Sequence, residues 1–154
     1  MSMSMDKILE EWAYVRRLSL DYLKHLKPEQ LFHSPASNMG PMWKQFRHIA
    51  RVQENYTDAL RTGSIKFATD TNLYCGGCDH GELVLYLEDC DKKMLSTLES
   101  FNSDKLIDWF GENVAVDMHL VRLISHETLH HGQWILFGKS LDVTFPSSWD
   151  AWGV

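Results

Sequence analysis

The chain has 154 residues, is 44% hydrophobic and 23% charged, and carries a formal net charge of −6, which fits a single soluble domain spanning residues 1–154. The acidic balance and the lack of a basic stripe argue against nucleic-acid binding. No signal peptide precedes the first predicted helix, and no apolar run reaches the roughly 18 residues of a membrane span, so a cytoplasmic protein is expected.

The first half of the chain predicts two long helices. The first runs from about Met5 to Leu26, because apolar residues recur there with helical period and Pro28 follows. Residues 28–40 are expected to form a loop with at most one helical turn. The second helix starts at Pro41, a favoured first position, and ends near Thr62, where Gly63 is a candidate for the left-handed cap.

The second half predicts two more helices. Residues 64–78 are polar and glycine-containing, and we expect them to form a crossover. The third helix opens at Asp79, whose spacing to Glu82 is that of a capping box, and its apolar stripe runs to Phe101. After a connection over residues 102–113, the fourth helix is expected from about Val114 to Phe137, with Gly138 ending it. A short aromatic tail follows.

These four helices predict the fold. Each is amphipathic and about 20 residues long, and no strand-like alternation appears between them. Such helices bury their apolar stripes against one another, so we expect an all-α four-helix bundle. The 15-residue link over Ser64–Cys78 is long for a hairpin. It would let the second and third helices run parallel through a long crossover.

The fourth helix contains the most informative motif, His126-Glu-Thr-Leu-His130. Histidines four residues apart lie about 40° apart around a helix, one turn from each other, so both imidazoles can bind one metal ion. The motif also matches H-E-x-x-H, in which the glutamate acts as general base, so Glu127 is a weak candidate base. It lies about 100° from His126, on the flank of the helix.

Other polar residues of this helix are given different roles. His119 and Gln133 lie on the same face as the two histidines, and we assign them to the pocket or the surroundings of the metal. His119 is two turns from His126, about 10.5 Å, which is too far to share its metal. His131 points about 120° away, and we expect it at the surface.

Two metalloprotein classes are disfavoured by the residues that surround the motif. A zinc protease with a downstream histidine would need it at the position of Leu136, and no glutamate follows Glu127 that could replace it. A ferritin-like di-iron site needs the Glu-x-x-His pattern twice, and only Glu127 to His130 supplies it. A catalytic zinc-type site still requires a third protein ligand.

The third ligand is sought among the upstream histidines His25, His33, His48 and His80. Only His48 lies in the middle of a predicted helix. It is about 100° from Ile49 of the apolar stripe, so periodicity leaves open whether it faces the core.

The chain resembles the DinB/YfiT-like superfamily of bacterial four-helix-bundle metalloenzymes. Two segments and the tail carry the resemblance: His48-Ile-Ala in the second helix, His126-Glu-Thr-Leu-His130-His-Gly-Gln133 in the fourth, and Phe145-Pro-Ser-Ser-Trp149-Asp-Ala-Trp152-Gly. The resemblance implies a divalent-metal site formed by His48, His126 and His130. It implies zinc or nickel, with iron or manganese as alternatives, and a homodimer.

The resemblance also suggests a reaction class. A metal bound by three neutral imidazoles can act as a Lewis acid and lower the pKa of bound water toward about 7. Relatives include transferases that use low-molecular-weight thiols, so we expect a small-molecule substrate and either thiol-dependent S-transfer or metal-assisted hydrolysis. A non-catalytic metal-binding bundle and a metal-free interaction bundle stay open as alternatives.

Two further groups have competing explanations. Cys75-Gly-Gly-Cys78 has the spacing of a metal knuckle or a redox pair. A structural zinc site would need two more ligands, and His80 and Cys90 are the only nearby candidates, so we expect two loop thiols that could form a disulfide under oxidation. Arg47, Arg51 and Arg122 could hold an anionic substrate near the site, or could belong to solvated helix faces.

Overall fold

The computed structural model describes residues 4–67, 74–102 and 104–154. Its helices are α1 (Met5–His25), α2 (Pro28–Phe32), α3 (Met42–Thr62), α4 (His80–Glu99) and α5 (Val116–Ser140), followed by a 3₁₀ helix over Ser147–Trp152. The four long helices α1, α3, α4 and α5 form the predicted bundle, and α2 is the single turn expected in the first loop.

The two halves of the core show how the helices run. One half joins the end of α1 to the beginnings of α3 and α4 and to Trp134 near the end of α5. The other half joins the beginning of α1 to the end of α3, to Met94 of α4 and to the beginning of α5. Helices α1 and α5 therefore run parallel to each other and antiparallel to α3 and α4. The expected parallel arrangement of α3 and α4 is confirmed.

The helix ends follow the local chemistry of the sequence. Gly63 caps α3 in the left-handed region with φ of 78°, where glycine has no steric cost. The Asp79 carboxylate accepts a hydrogen bond from the Glu82 amide at 2.9 Å and caps α4. Both of these predicted boundaries are confirmed.

A short hairpin corrects the expectation that the chain contains no strands. Strands β1 (Ile107–Trp109) and β2 (Glu112–Val114) pair antiparallel, with Ile107 opposite Val114. Both of these residues are buried. Three-residue strands are too short to show alternation in a sequence, and tertiary burial of their ends stabilises them.

Helix α5 corrects a second expectation. It continues to Ser140, so Gly138 does not end it. A Cβ atom at Gly138 would lie 2.6 Å from the Phe145 ring and 3.0 Å from the Tyr22 hydroxyl. The glycine is therefore explained by close packing of the tail against α5.

The aromatic tail is anchored to α1. Trp149 is buried, and its indole N–H donates to the Leu18 carbonyl at 3.0 Å. The ring of Phe145 stacks on Tyr22 with centroids 5.0 Å apart.

None of the helices in the described ranges combines the length and the hydropathy that a membrane span requires.

Candidate metal centre

Three histidines from two helices converge at one point of the bundle. His48 of α3 and His126 of α5 place their Nε2 atoms 3.2 Å apart. The ring of His130 lies 5.1 Å from that of His48 and 4.8 Å from that of His126, measured between centroids. One nitrogen from each of the three residues falls within 4.8 Å of the others. All three side chains are half-buried, so the group is open to solvent on one side.

The surroundings keep these imidazoles neutral. Burial lowers the pKa of His126 to about 4, and the neighbouring His48 lowers it further. Burial and the two other histidines lower the pKa of His130 to about 4, although the Gln133 side chain opposes this effect. Burial also lowers the pKa of His48, as do the positive charges of Arg51 and Arg47. A neutral imidazole offers the lone pair that a metal ion requires.

The geometry fits a divalent metal ion. Two nitrogens bound to one tetrahedral zinc ion lie roughly 3.3 Å apart, because each sits about 2.0–2.1 Å from the metal. The Nε2 atoms of His48 and His126 match that separation. The Nδ1 atoms of His126 and His130 are buried without a hydrogen-bond partner. Three neutral imidazoles with no anion among them match a donor set that proteins use for divalent metal ions.

Behind the histidines, a buried polar network corrects the expected position of His131. Its side chain is only 5% exposed, and its Nε2 lies 2.8 Å from the hydroxyl of Ser19. The same hydroxyl donates to Glu127 at 2.5 Å. His131 was expected at the surface, but α1 covers this side of α5. Burial lowers its pKa to about 3, with smaller contributions from Arg16 and His130.

Glu127 belongs to this network and lies deeper than the flank position predicted from periodicity. It is 1% exposed, and its second carboxylate oxygen lies 3.0 Å from Nη2 of Arg16. Burial raises its pKa, while Arg16 and the hydrogen bond from Ser19 lower it. Its described contacts are with α1, so the candidate general base is engaged in the core.

The sequence matches the DinB superfamily over residues 11–134.

The chain belongs to the DinB superfamily.

Two solved structures share the fold of this DinB-family protein. A DinB-like protein from Bacillus cereus ATCC 10987 has a TM-score of 0.77 at 19% identity, over 96% of this chain and 99% of that one. A DinB-like protein from Bacillus subtilis has a TM-score of 0.69 at 18% identity, over 92% and 96% of the two chains. The search of curated proteins found no match.

His119 lies apart from the three histidines in this DinB-family bundle. It is fully buried; its Nδ1 accepts from the Trp109 indole at 3.0 Å, and its Nε2 lies 3.0 Å from the Tyr56 carbonyl. With both nitrogens engaged, His119 joins α5 to β1 and to α3. Gln133 is exposed, and its side chain hydrogen-bonds His130, so it lies beside the three histidines.

The three arginines considered as substrate-binding residues, Arg47, Arg51 and Arg122, lie in two different places in the DinB-family chain. Arg122 contacts both carboxylate oxygens of Glu112 at 2.9 and 3.1 Å and lies over the Trp109 ring. It is therefore held at the hairpin. Arg47 and Arg51 flank His48 on α3 and act on its pKa, so they contribute positive charge beside the centre.

The cysteines do not add a second metal centre within the described residues. The three histidines are the one group there in which three or more His, Cys, Asp or Glu side chains could hold a metal ion. No disulfide joins Cys75 to Cys78, and Cys90 is buried in α4.

Sequence reasoning missed Arg16, which is 3% exposed and contacts three other helices. A buried arginine within an apolar helical stripe is a signal of an internal ion pair, because arginine is almost never buried unpaired. Its partners could not have been identified, since they lie on helices distant in sequence.

Proposed function

We propose that this chain is a divalent-metal-dependent enzyme whose metal is bound by His48, His126 and His130. The supporting observation is the convergence of one nitrogen from each residue within 4.8 Å, from two separate helices. Burying three imidazoles together costs free energy, which metal binding would offset. A divalent ion in this position would supply Lewis-acid chemistry.

We propose thiol-dependent S-transfer as the reaction, with metal-assisted hydrolysis as the second candidate. Water activation benefits from a nearby general base, and the Glu127 carboxylate is held in the core by Arg16 and Ser19. A thiol, with an ordinary pKa near 8.5, loses its proton more easily than water and needs less help from a base. The positive charges of Arg47 and Arg51 would favour the thiolate at the open side of His48.

We further propose that the protein is a cytoplasmic homodimer that pairs through the outer face of α5. Leu129 and Leu136 are each 70% exposed and Met118 is 49% exposed. These three lie within about 40° of one another around the helix. Between residues 123 and 138 the single charged side chain is Glu127, and it is buried. Each chain carries a net charge of −6, so two copies repel each other. This repulsion is smallest when the two copies meet through an apolar face without charged side chains.

A cavity beside this face supports the same arrangement. It measures about 150 Å³ and is lined in part by Gly132, Thr128 and the half-exposed Trp152. No atom lies within 4 Å of the position where a Cβ of Gly132 would stand. A leucine from a second copy could insert here, as knobs fill holes between packed helices.

Metal content is the experiment that tests the proposed function. The wild type would be purified without chelator or nickel resin, together with His48→Ala, His126→Ala and His130→Ala. About one equivalent of divalent metal in the wild type, lost in each variant, is expected. His25→Ala is the matched control, because His25 is an exposed histidine outside the group.

The other outcomes separate the alternatives. If the wild type holds no metal even after reconstitution, the chain is an interaction bundle without a metal. If it binds metal but neither couples thiols to electrophiles nor hydrolyses model esters and amides, it is a non-catalytic metal-binding protein.

A further inference from the structure

Arg16 of α1 contacts all three of the other long helices from the middle of the bundle. Its Nη2 donates to the Gln53 side-chain oxygen of α3 at 2.7 Å. The same nitrogen lies 3.0 Å from Glu127 of α5, and Nε lies 3.4 Å from Asp91 of α4. The side chain is 4% exposed. Taking a guanidinium out of water is costly, so these partners have to compensate for it together.

Two of these contacts reach the helices that carry the three histidines. Glu127 lies directly after His126 and three residues before His130 on α5. Gln53 lies five residues after His48 on α3, about 7.5 Å along the axis. A single nitrogen therefore joins α3 to α5 close to the point where their histidines meet. The Nδ1 atoms of His126 and His130 have no hydrogen-bond partner of their own.

The orientation of α5 about its axis is held from the same side. Ser19 of α1 hydrogen-bonds both Glu127 and His131, one turn apart on α5. With these two positions attached to α1, His126 and His130 on the neighbouring face of the helix, about 100° around its axis, are directed toward α3. In most metal sites the ligands are oriented by hydrogen bonds to their own rings. Here the helix itself is held in place.

We propose that Arg16 is a positioning residue of the three-histidine centre: through Glu127 and Gln53 it sets the distance and rotation of α5 relative to α3. The inference rests on the proposed metal-binding function. Arg16 binds neither metal nor substrate, and its effect on the centre acts through the two helices.

The test compares zinc affinity with thermal stability in matched variants. The double variant Arg16→Met with Glu127→Leu removes the bridge and both of its buried charges. Asp91 loses its contact with Arg16 but is partly exposed and still accepts hydrogen bonds from Trp12 and Gln53. Glu127→Gln is a milder second variant that keeps the shape of the side chain. Thr57→Val is the control, because Thr57 is a buried polar residue of α3 whose described hydrogen bond stays within its own helix and leaves the Gln53 side chain untouched, since the acceptor is the Gln53 backbone carbonyl. Zinc dissociation constants come from competition with a chromophoric chelator, well below each Tm, and cobalt absorption spectra report the ligand geometry.

The double variant is expected to unfold cooperatively, to bind zinc at least about tenfold more weakly and to show an altered cobalt spectrum. Glu127→Gln is also expected to bind zinc more weakly than the wild type, by a smaller factor than the double variant. If the double variant does not fold, the zinc affinity of Glu127→Gln tests the positioning role of Arg16. Thr57→Val should keep the wild-type dissociation constant whatever its Tm.

Wild-type affinity and spectrum in the Arg16 and Glu127 variants would overturn the positioning role alone. Absence of zinc binding by the wild type would overturn the proposed function and, with it, this inference.

Discussion

The Nε2 atoms of His48 and His126 lie 3.2 Å apart, although 78 residues separate the two histidines along the chain. The two helices that bring them together run antiparallel through the core and are joined by the crossover, α4 and the hairpin. Two unprotonated nitrogens at that distance repel each other unless a proton or a metal ion lies between them. The histidine group is therefore the place in the bundle where a divalent metal ion is expected to bind.

Metal binding should stabilise the fold. A ligand that binds only the native state adds about 4 kcal/mol to the free energy of unfolding when its free concentration is a thousand times Kd. We therefore expect zinc to raise the Tm of the wild type and a chelator to reverse the rise. His130→Ala should show neither effect. Scanning calorimetry with and without zinc measures this, and an equal shift in both proteins would point to binding elsewhere.

Acid should destabilise the protein through His119. Burial lowers the pKa of this fully buried histidine to about 4, whereas a histidine in an unfolded chain titrates near about 6.5. Between pH 4 and about pH 6.5, the His119 side chain is therefore protonated in the unfolded state but neutral in the folded state. The free energy of unfolding should therefore fall by about 3 kcal/mol from pH 7 to pH 4 on account of this residue.

Urea unfolding at several pH values tests that contribution by difference. His119→Gln should lose less stability between pH 7 and pH 4 than the wild type, although it is less stable at pH 7. The exposed His25 supplies the control variant His25→Gln, which should follow the wild-type curve. Parallel curves for all three proteins would show that His119 does not contribute.

Two glycines of α5 should respond to alanine with opposite signs. A Cβ at Gly138 would meet the Phe145 ring at 2.6 Å, so Gly138→Ala should destabilise by about 1–3 kcal/mol. In the isolated chain a Cβ at Gly132 would meet no atom within 4 Å beyond its own helix backbone, so Gly132→Ala should stabilise the monomer by about 0.5–1 kcal/mol. Chemical denaturation of both variants measures the difference. The packing explanation for Gly138 fails if both alanines stabilise the protein.

The outer face of α5 should control the oligomeric state. Leu129→Glu and Leu136→Glu introduce charge into the proposed interface and should give monomers in sedimentation experiments under conditions where the wild type is a dimer. Leu85 of α4 is 60% exposed and provides a matched control, since Leu85→Glu should remain dimeric. A monomeric wild type would contradict the homodimer, and loss of the dimer in Leu85→Glu would move the interface away from α5.

Local spacing in the sequence was enough to predict the four helices, the caps at Gly63 and Asp79, and the juxtaposition of His126 and His130 as candidate metal ligands. These features depend on residues within one or two turns of each other, and helical periodicity relates such residues directly. The parallel crossover of α3 and α4 followed from the length of the link and was confirmed. The resemblance to the DinB superfamily selected His48, which periodicity had left open.

The tertiary structure alone decided what each side of α5 faces. Spacing placed Glu127 on a flank and His131 at the surface, but whether a given side of a helix is core depends on which helix covers it. Helix α1 covers both residues through Ser19, which lies 108 and 112 residues away from them. The burial of Arg16 and the role of Gly138 have the same origin, because both depend on contacts between segments that only folding brings together. The sequence by itself therefore determined the helices and the ligand types, while packing determined the direction of each side chain.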